Sequence, residues 1–271
     1  MLQRILVGVF GVPVLILFAL VFPPLCMVIM LGILCALGVY ECLYATGEVK
    51  HKGLVSASVI LAVLVPFWYY FGLNASVGFA ALFAFFLAIN LMAIASGQTI
   101  RFGQLGISLY GAALVPLMLS SMILIRDTDH GRFFVLLPFV SAFSSDVFAL
   151  VAGMNFGKHK LAPRLSPKKT VEGSVGGIVG AGVMCLLYGL IVRQFWGVGA
   201  NLPLLLLYGL IASPVSQIGD LSFSYIKRES GIKDYGHLLP GHGGVLDRFD
   251  SVIFCAPFTY IVMGMAPLIR F

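Results

Sequence analysis

Apolar residues run along this chain in long blocks, without the alternation of a strand or the one-sided stripe of a soluble helix. Blocks near 5–22, 25–40, 54–72, 76–96, 105–125, 133–152, 174–195, 202–219 and 250–268 are separated by short polar pieces. They approach the roughly 20 residues that a helix needs to cross a bilayer. The pattern predicts an all-α polytopic integral membrane protein with about nine transmembrane helices. Only Pro23 and Pro24 divide the first two blocks, which predicts either a tight helical hairpin or one long, kinked helix. The first block follows a positive residue, as a secretory signal does. No small-residue cleavage pattern comes after it and the next apolar run begins at once, so a retained first helix is expected.

Composition agrees with this reading: 60% of the residues are hydrophobic and 10% charged, whereas soluble domains hold about half apolar residues. Orientation follows from the basic residues. With a cytoplasmic N-terminus, the 17 Lys and Arg divide 13 to 4 in favour of the cytoplasmic loops, as the positive-inside rule requires. The net charge of +6 then sits mostly on the face that meets anionic headgroups. The bilayer is therefore an expected partner. Nucleic acid is not, because no basic module with interleaved aromatics is present. Cys26, Cys35, Cys42, Cys185 and Cys255 lie in or beside apolar spans without metal-ligand spacing, and read as small buried hydrophobes.

The polar residues are distributed unevenly. Residues 1–130 form a scaffold of about five spans with few ionisable groups. Glu41 and Glu48 fall in a cytoplasmic loop, where solvation accounts for them, and "RDTDHGR" at 126–132 reads as a solvated turn on the other side. Residues 131–271 form a second region with two long cytoplasmic connectors, about 153–173 and 220–249. These connectors hold 9 of the 17 basic residues, and long connectors in an economical chain tend to carry function. Asp146, Glu172, Asp220, Asp247 and Asp250 collect at the same membrane face, and ionisable residues at membrane depth are expensive and usually functional. In "GSVGGIVGAG", Gly173 and Gly177, and Gly176 and Gly180, stand four apart. That is the spacing of close helix packing; the lysine and hydroxyl of a phosphate loop are missing.

Carboxylates beside lysines and arginines suit one kind of chemistry. Aspartates hold hard divalent cations such as Mg²⁺, and those cations, with Lys and Arg, hold phosphates. The turn "PGHGG" lets Gly243 and Gly244 approach anionic oxygens closely, with His242 as an added donor or proton carrier. The expectation is phosphoryl or nucleotidyl transfer at the cytoplasmic surface. Asp220 and Asp247, at facing ends of consecutive helices, are the first choice of metal ligands.

Residues 224–250, "SYIKRESGIKDYGHLLPGHGGVLDRFD", resemble the signature of the phosphatidate cytidylyltransferases, or CDP-diacylglycerol synthases. The matching positions are Ser224, Lys227, Arg228, Lys233, Asp234, Gly236, Leu239, Pro240, His242, Gly243, Gly244, Asp247, Arg248 and Asp250. Upstream, "GKHKLAPRLSPKKTVEG" resembles a second family segment, with Val171 where a Trp is usual. The resemblance implies transfer of CMP from CTP to phosphatidic acid, with Mg²⁺, giving CDP-diacylglycerol and pyrophosphate. A second, monovalent cation is compatible with it. It implies metal binding by Asp220 and Asp247, supported by Asp250 and Asp146. It also implies phosphate binding by Lys227, Arg228, Lys233 and Arg248, with Ser224, Ser166, Lys168, Lys169 and Thr170 on the substrate side. The phosphate nucleophile is already an anion, so His242 is expected to orient rather than act as a base. The expected location is the bacterial inner membrane, with the site on the cytoplasmic face where CTP is found. A homodimer is compatible with the sequence. Two alternatives compete. One is another CTP- or CDP-dependent lipid phosphotransferase, whose Asp-Gly…Ala-Arg helix pattern is absent. The other is a cation transporter, for which repeats and midplane acids are expected; here the acids stand at helix ends.

Overall fold

The computed structural model describes residue 11 and residues 13–97, 99–236 and 243–268. Among these, seven helices are long and apolar enough to cross a membrane: α1 Pro24–Ala45, α2 Lys52–Tyr70, α3 Ala75–Ala95, α4 Phe102–Arg126, α5 Gly131–Phe156, α6 Val171–Trp196 and α7 Leu202–Glu229. The final helix, α8 Leu246–Met265, has 20 residues. It opens on Asp247, Arg248 and Asp250 and is not one of the seven. Before α1, residues 13–20 are helical, and the first ten residues lie outside the description. Pro23 is extended, with ψ 151°, and α1 starts on Pro24. The chain therefore breaks between the first two apolar blocks instead of kinking, because a proline starts a helix well but cannot continue one.

The chain divides into two compact units. The first comprises Met1–Leu124 and Glu229–Phe249, the second Ile125–Arg228 and Asp250–Phe271. In the first, α1 and α2 pack where Gly32 faces Phe67 and Val63. Helix α3 is capped by Asn74, whose side chain accepts from the Val77 N–H at 3.1 Å. Only Gly78, Phe85 and Ile89 of α3 are buried. The final turn of α1, Glu41–Ala45, and the segment Tyr110–Leu114 within α4 are π-helical, and Gly111 faces Cys42 there.

In the second unit, α5 and α6 run against each other through the glycines. A Cβ on Gly173 would lie 2.7 Å from the Ala149 carbonyl oxygen, and one on Gly177 2.8 Å from that of Ser145. Gly176 and Gly180 are closed by Ala152 and Phe148. The four-residue glycine spacing is thus a packing surface, as read from the sequence. Between these helices lies an antiparallel hairpin, β1 Lys160–Ala162 with β2 Ser166–Thr170. Lys160 pairs with Thr170 and Ala162 with Ser166 across a bulge.

Inside this unit polar side chains satisfy one another among apolar neighbours, and apolar side chains also cover its outside. Ser145 and Ser213 share a 2.7 Å hydrogen bond, Gln217 donates to Ser213, and the Tyr208 and Thr259 hydroxyls meet at 2.6 Å. Val175, Val179, Leu187, Ile191 and Ile211 point outward. An apolar outside with internally paired hydroxyls suits lipid, where polar groups must find partners within the protein. The protein is an integral membrane protein. All five cysteines are free, four of them buried.

Gly209 of α7 leaves room for α6: a Cβ there would fall 2.8 Å from Gly182 Cα. Gly209→Ala is expected to lower stability by about 1–3 kcal/mol through overpacking, measured by thermal unfolding in detergent. Gly264→Ala, with nothing within 4 Å, is expected not to destabilise.

Candidate active site

Helix α7 has 28 residues, about 42 Å at 1.5 Å per residue, against a hydrocarbon core of about 30 Å. Its last turns therefore extend beyond what a span requires. Asp220, Ser224, Lys227 and Arg228 ride on this extension, where the sequence predicts a loop beginning at 220. No glycine or proline interrupts 220–229, and Phe223, Ser224 and Lys227 bury one face. The helix stops before Gly231, which takes the left-handed φ of +70° that favours glycine at a helix end.

The connector at 153–173 is likewise structured. Thr170 is the N-cap of α6, accepting from the Gly173 N–H at 3.1 Å. The hydroxyl that the resemblance assigns to substrate thus also caps a helix. Glu172 accepts from the Lys158 and His159 backbone N–H groups and pairs with the His159 ring at 2.6 Å, so it holds the hairpin base. Arg228 donates from Nε to the Leu165 carbonyl at 3.3 Å, tying α7 to the hairpin turn. Ser166 is half-buried and Lys168 exposed.

β2 directs Lys169 onto the Asp220 carboxylate, with which it forms an ion pair. Burial holds the Lys169 ammonium below the usual lysine range. Asp146 and Asp250 pull against that, and the nearby Lys227 adds to it. Two lysines thus share one neighbourhood with three carboxylates from α5, α7 and α8. Lys227 and Asp250 are buried, and Asp146 is exposed. Gly219 permits the approach of α8: a Cβ there would lie 2.8 Å from the Asp250 carbonyl oxygen and 2.9 Å from the Phe254 ring. Asp250 Oδ1 also accepts from the Ser251 N–H at 2.7 Å.

Asp247 belongs to the first unit. It is 8% exposed, and its Oδ2 accepts from the N–H groups of Tyr235 at 2.8 Å and Gly244 at 2.9 Å. Gly243 has φ +83°, open to glycine and strained for other residues. Gly244 corrects the expectation of a backbone kept bare for phosphate. Its N–H serves Asp247, and the Glu41 carboxylate fills the space where a Cβ would stand. Glu41 is a second correction. It is 5% exposed, and accepts from the Val245 and Leu246 N–H groups at 2.9 Å each. The apolar run continues past it in "ECLYA", which is the signal that Glu41 stands inside the helix and not in a solvated loop. Lys233, Asp234 and Arg248 are exposed and Ser224 is buried. His242 lies outside the described residues.

The carboxylates offer hard oxygen donors of the kind Mg²⁺ takes, and they outnumber the lysines beside them. The Lys169 ammonium already holds the place of a cation on Asp220. Among the described residues, no three acidic, His or Cys side chains converge closely enough to hold a metal by themselves. The donor chemistry therefore fits a cation whose remaining ligands are water or substrate oxygens.

The sequence profile of the cytidylyltransferase family matches residues 2–266. The chain belongs to the cytidylyltransferase family. A phosphatidate cytidylyltransferase of Bacillus subtilis is 34% identical over 276 residues, covering 98% of each chain. Those of Rickettsia felis and Rickettsia prowazekii are 38% and 34% identical over 158 and 180 residues. They cover 57% and 65% of this chain, and 69% and 78% of their own.

Lys169 and Asp220 are expected to be energetically coupled. In a double-mutant cycle of Lys169→Met and Asp220→Asn, the double variant should be more stable than the sum of the single effects, by roughly 0.5–3 kcal/mol. Unfolding of the four proteins in one detergent measures this. Additive effects would remove the pair as an organising contact.

Proposed function

We propose that the chain is a phosphatidate cytidylyltransferase, transferring CMP from CTP to phosphatidic acid. The observation that carries this reading is the group of Lys169, Lys227, Asp146, Asp220 and Asp250 at the ends of lipid-embedded helices. A nucleotide arriving from water and a phosphate tethered in the bilayer can both reach such a place. The resemblance of residues 224–250 and the family membership support the same reaction.

A phosphate oxygen of phosphatidic acid attacks the α-phosphorus of CTP. The new P–O–P linkage forms as the α–β bridge breaks, and pyrophosphate leaves with its electron pair. The nucleophile is anionic, so no strong base is needed, and His242 is assigned an orienting role. Lys169 and Lys227 would neutralise triphosphate and lipid phosphate. Arg228, Lys233 and Arg248 would supply further positive charge, with Ser166, Lys168 and Ser224 as substrate contacts. Asp220 and Asp247 are the proposed Mg²⁺ ligands, with water and substrate oxygens completing the shell and Asp146 and Asp250 adding negative charge. Bound there, the ion would supply charge neutralisation on the transferring phosphates. The positive-inside count supports a site on the cytoplasmic face, and the bacterial inner membrane is the proposed location.

The test supplies purified protein with phosphatidic acid, labelled CTP and Mg²⁺, and follows the label into lipid. The wild type is expected to form CDP-diacylglycerol and lose activity with EDTA. Asp247→Asn and Lys227→Met are expected to lose about 100-fold or more in kcat/KM while remaining folded, the scale seen when a charge-stabilising group is removed. No lipid product from wild type, or undiminished product from Asp247→Asn, would overturn the reading.

A further inference from the structure

We propose that Glu41 is a positioning residue for Asp247, acting from the first long helix as a remote cap on the last. This rests on the reading of Asp247 as part of the transfer site. Helix starts leave backbone N–H groups without intrahelical partners, and in apolar surroundings each needs one. Leu246 is the first residue of α8, and Val245 precedes it. Both donate their N–H to the two oxygens of the Glu41 carboxylate, one each, at 2.9 Å. Asp247 follows at once, accepting from Gly244 and Tyr235. Four backbone donors around the start of α8 are thus divided between two buried carboxylates.

Three further features fit this arrangement. Gly236 and Gly244 both leave the space that Glu41 occupies: a Cβ on Gly236 would lie 2.8 Å from Glu41 Oε1, and one on Gly244 would meet the carboxylate directly. One turn earlier on α1, Gly38 faces the Leu246 side chain, which a Cβ would meet at 3.2 Å. Helix α1 also turns π-helical at Glu41; such turns re-aim side chains and recur at functional sites. An acid near the C-terminal end of its own helix is disfavoured by that helix's dipole. At the N-terminus of another helix the same charge is favoured. Glu41 therefore contributes where it points, rather than where it stands in the sequence.

Hydrogen exchange of the Val245 and Leu246 amides, together with CDP-lipid kinetics, tests this in the full-length protein in nanodiscs. Glu41→Gln is expected to speed exchange at both amides by about tenfold or more, the scale of losing a charged hydrogen-bond acceptor. It is also expected to lower kcat by roughly ten- to hundredfold through misplacement of Asp247, with KM for phosphatidic acid within about twofold of wild type. Glu41→Asp, which keeps the carboxylate on a shorter arm, should fall between the two, and should be read in its place if Glu41→Gln does not fold. Glu48→Gln should leave exchange and kcat unchanged. Wild-type exchange in Glu41→Gln, or a loss of activity that only tracks the folded fraction, would overturn the positioning role. If Asp247→Asn abolishes product while the Glu41 variants change nothing, the transfer reading stands and this one falls. If the wild type makes no CDP-lipid, the transfer reading fails, and the exchange arm still decides whether Glu41 holds the start of α8.

Discussion

A carboxylate at the end of an apolar helix has to find positive charge or backbone N–H groups, because hydrocarbon offers no water to solvate it. The polar architecture of this protein follows from that requirement. Asp220 meets the Lys169 ammonium. Glu41 and Asp247 meet the N–H groups around the start of the last helix. Glu172 meets the hairpin base. These solutions differ in kind. Carboxylates tied to backbone N–H groups fix the chain path. Carboxylates set against lysines leave a patch of opposed charges, whose balance changes when a phosphate or a cation arrives.

Glycine makes these solutions reachable. Gly219 brings the backbone of α8 against α7 beside Asp220, and Gly244 brings a loop onto Glu41. In α6 the glycines do a different job, letting α5 and α6 run at close range so that Ser145, Ser174, Ser213 and Gln217 satisfy one another inside the unit. Overpacking at such positions is costly. The same residue type therefore serves helix packing in one place and carboxylate access in another, and only the neighbours tell them apart.

Several members of the candidate site stand out in the sequence because they lie close together in the chain. Asp247, Arg248 and Asp250 share one helical turn, and "SPKKT" is a single short strand. Residues whose use depends on a distant partner were read less well. Glu41 passed for a solvated acid because its partners are Val245 and Leu246, some two hundred positions away. The N-cap role of Thr170 depends on where α6 begins, which the sequence does not mark. The α7 extension passed for a loop because charged residues replace the apolar pattern once a helix leaves the lipid, although the helix itself persists.

Block lengths and the positions of prolines determined by themselves that this is a helical membrane protein, and where most of its helices run. The reason is that crossing hydrocarbon demands about twenty apolar residues in a row with internally satisfied backbone. The motifs likewise picked out the charged residues of the candidate site, since these stand close together in the chain. Tertiary structure alone decided which acid each lysine meets, which glycine yields to which carboxylate, and that a glutamate on α1 secures the start of α8. Those are pairings across sequence distance, set by helix packing, and one-dimensional periodicity carries no record of them.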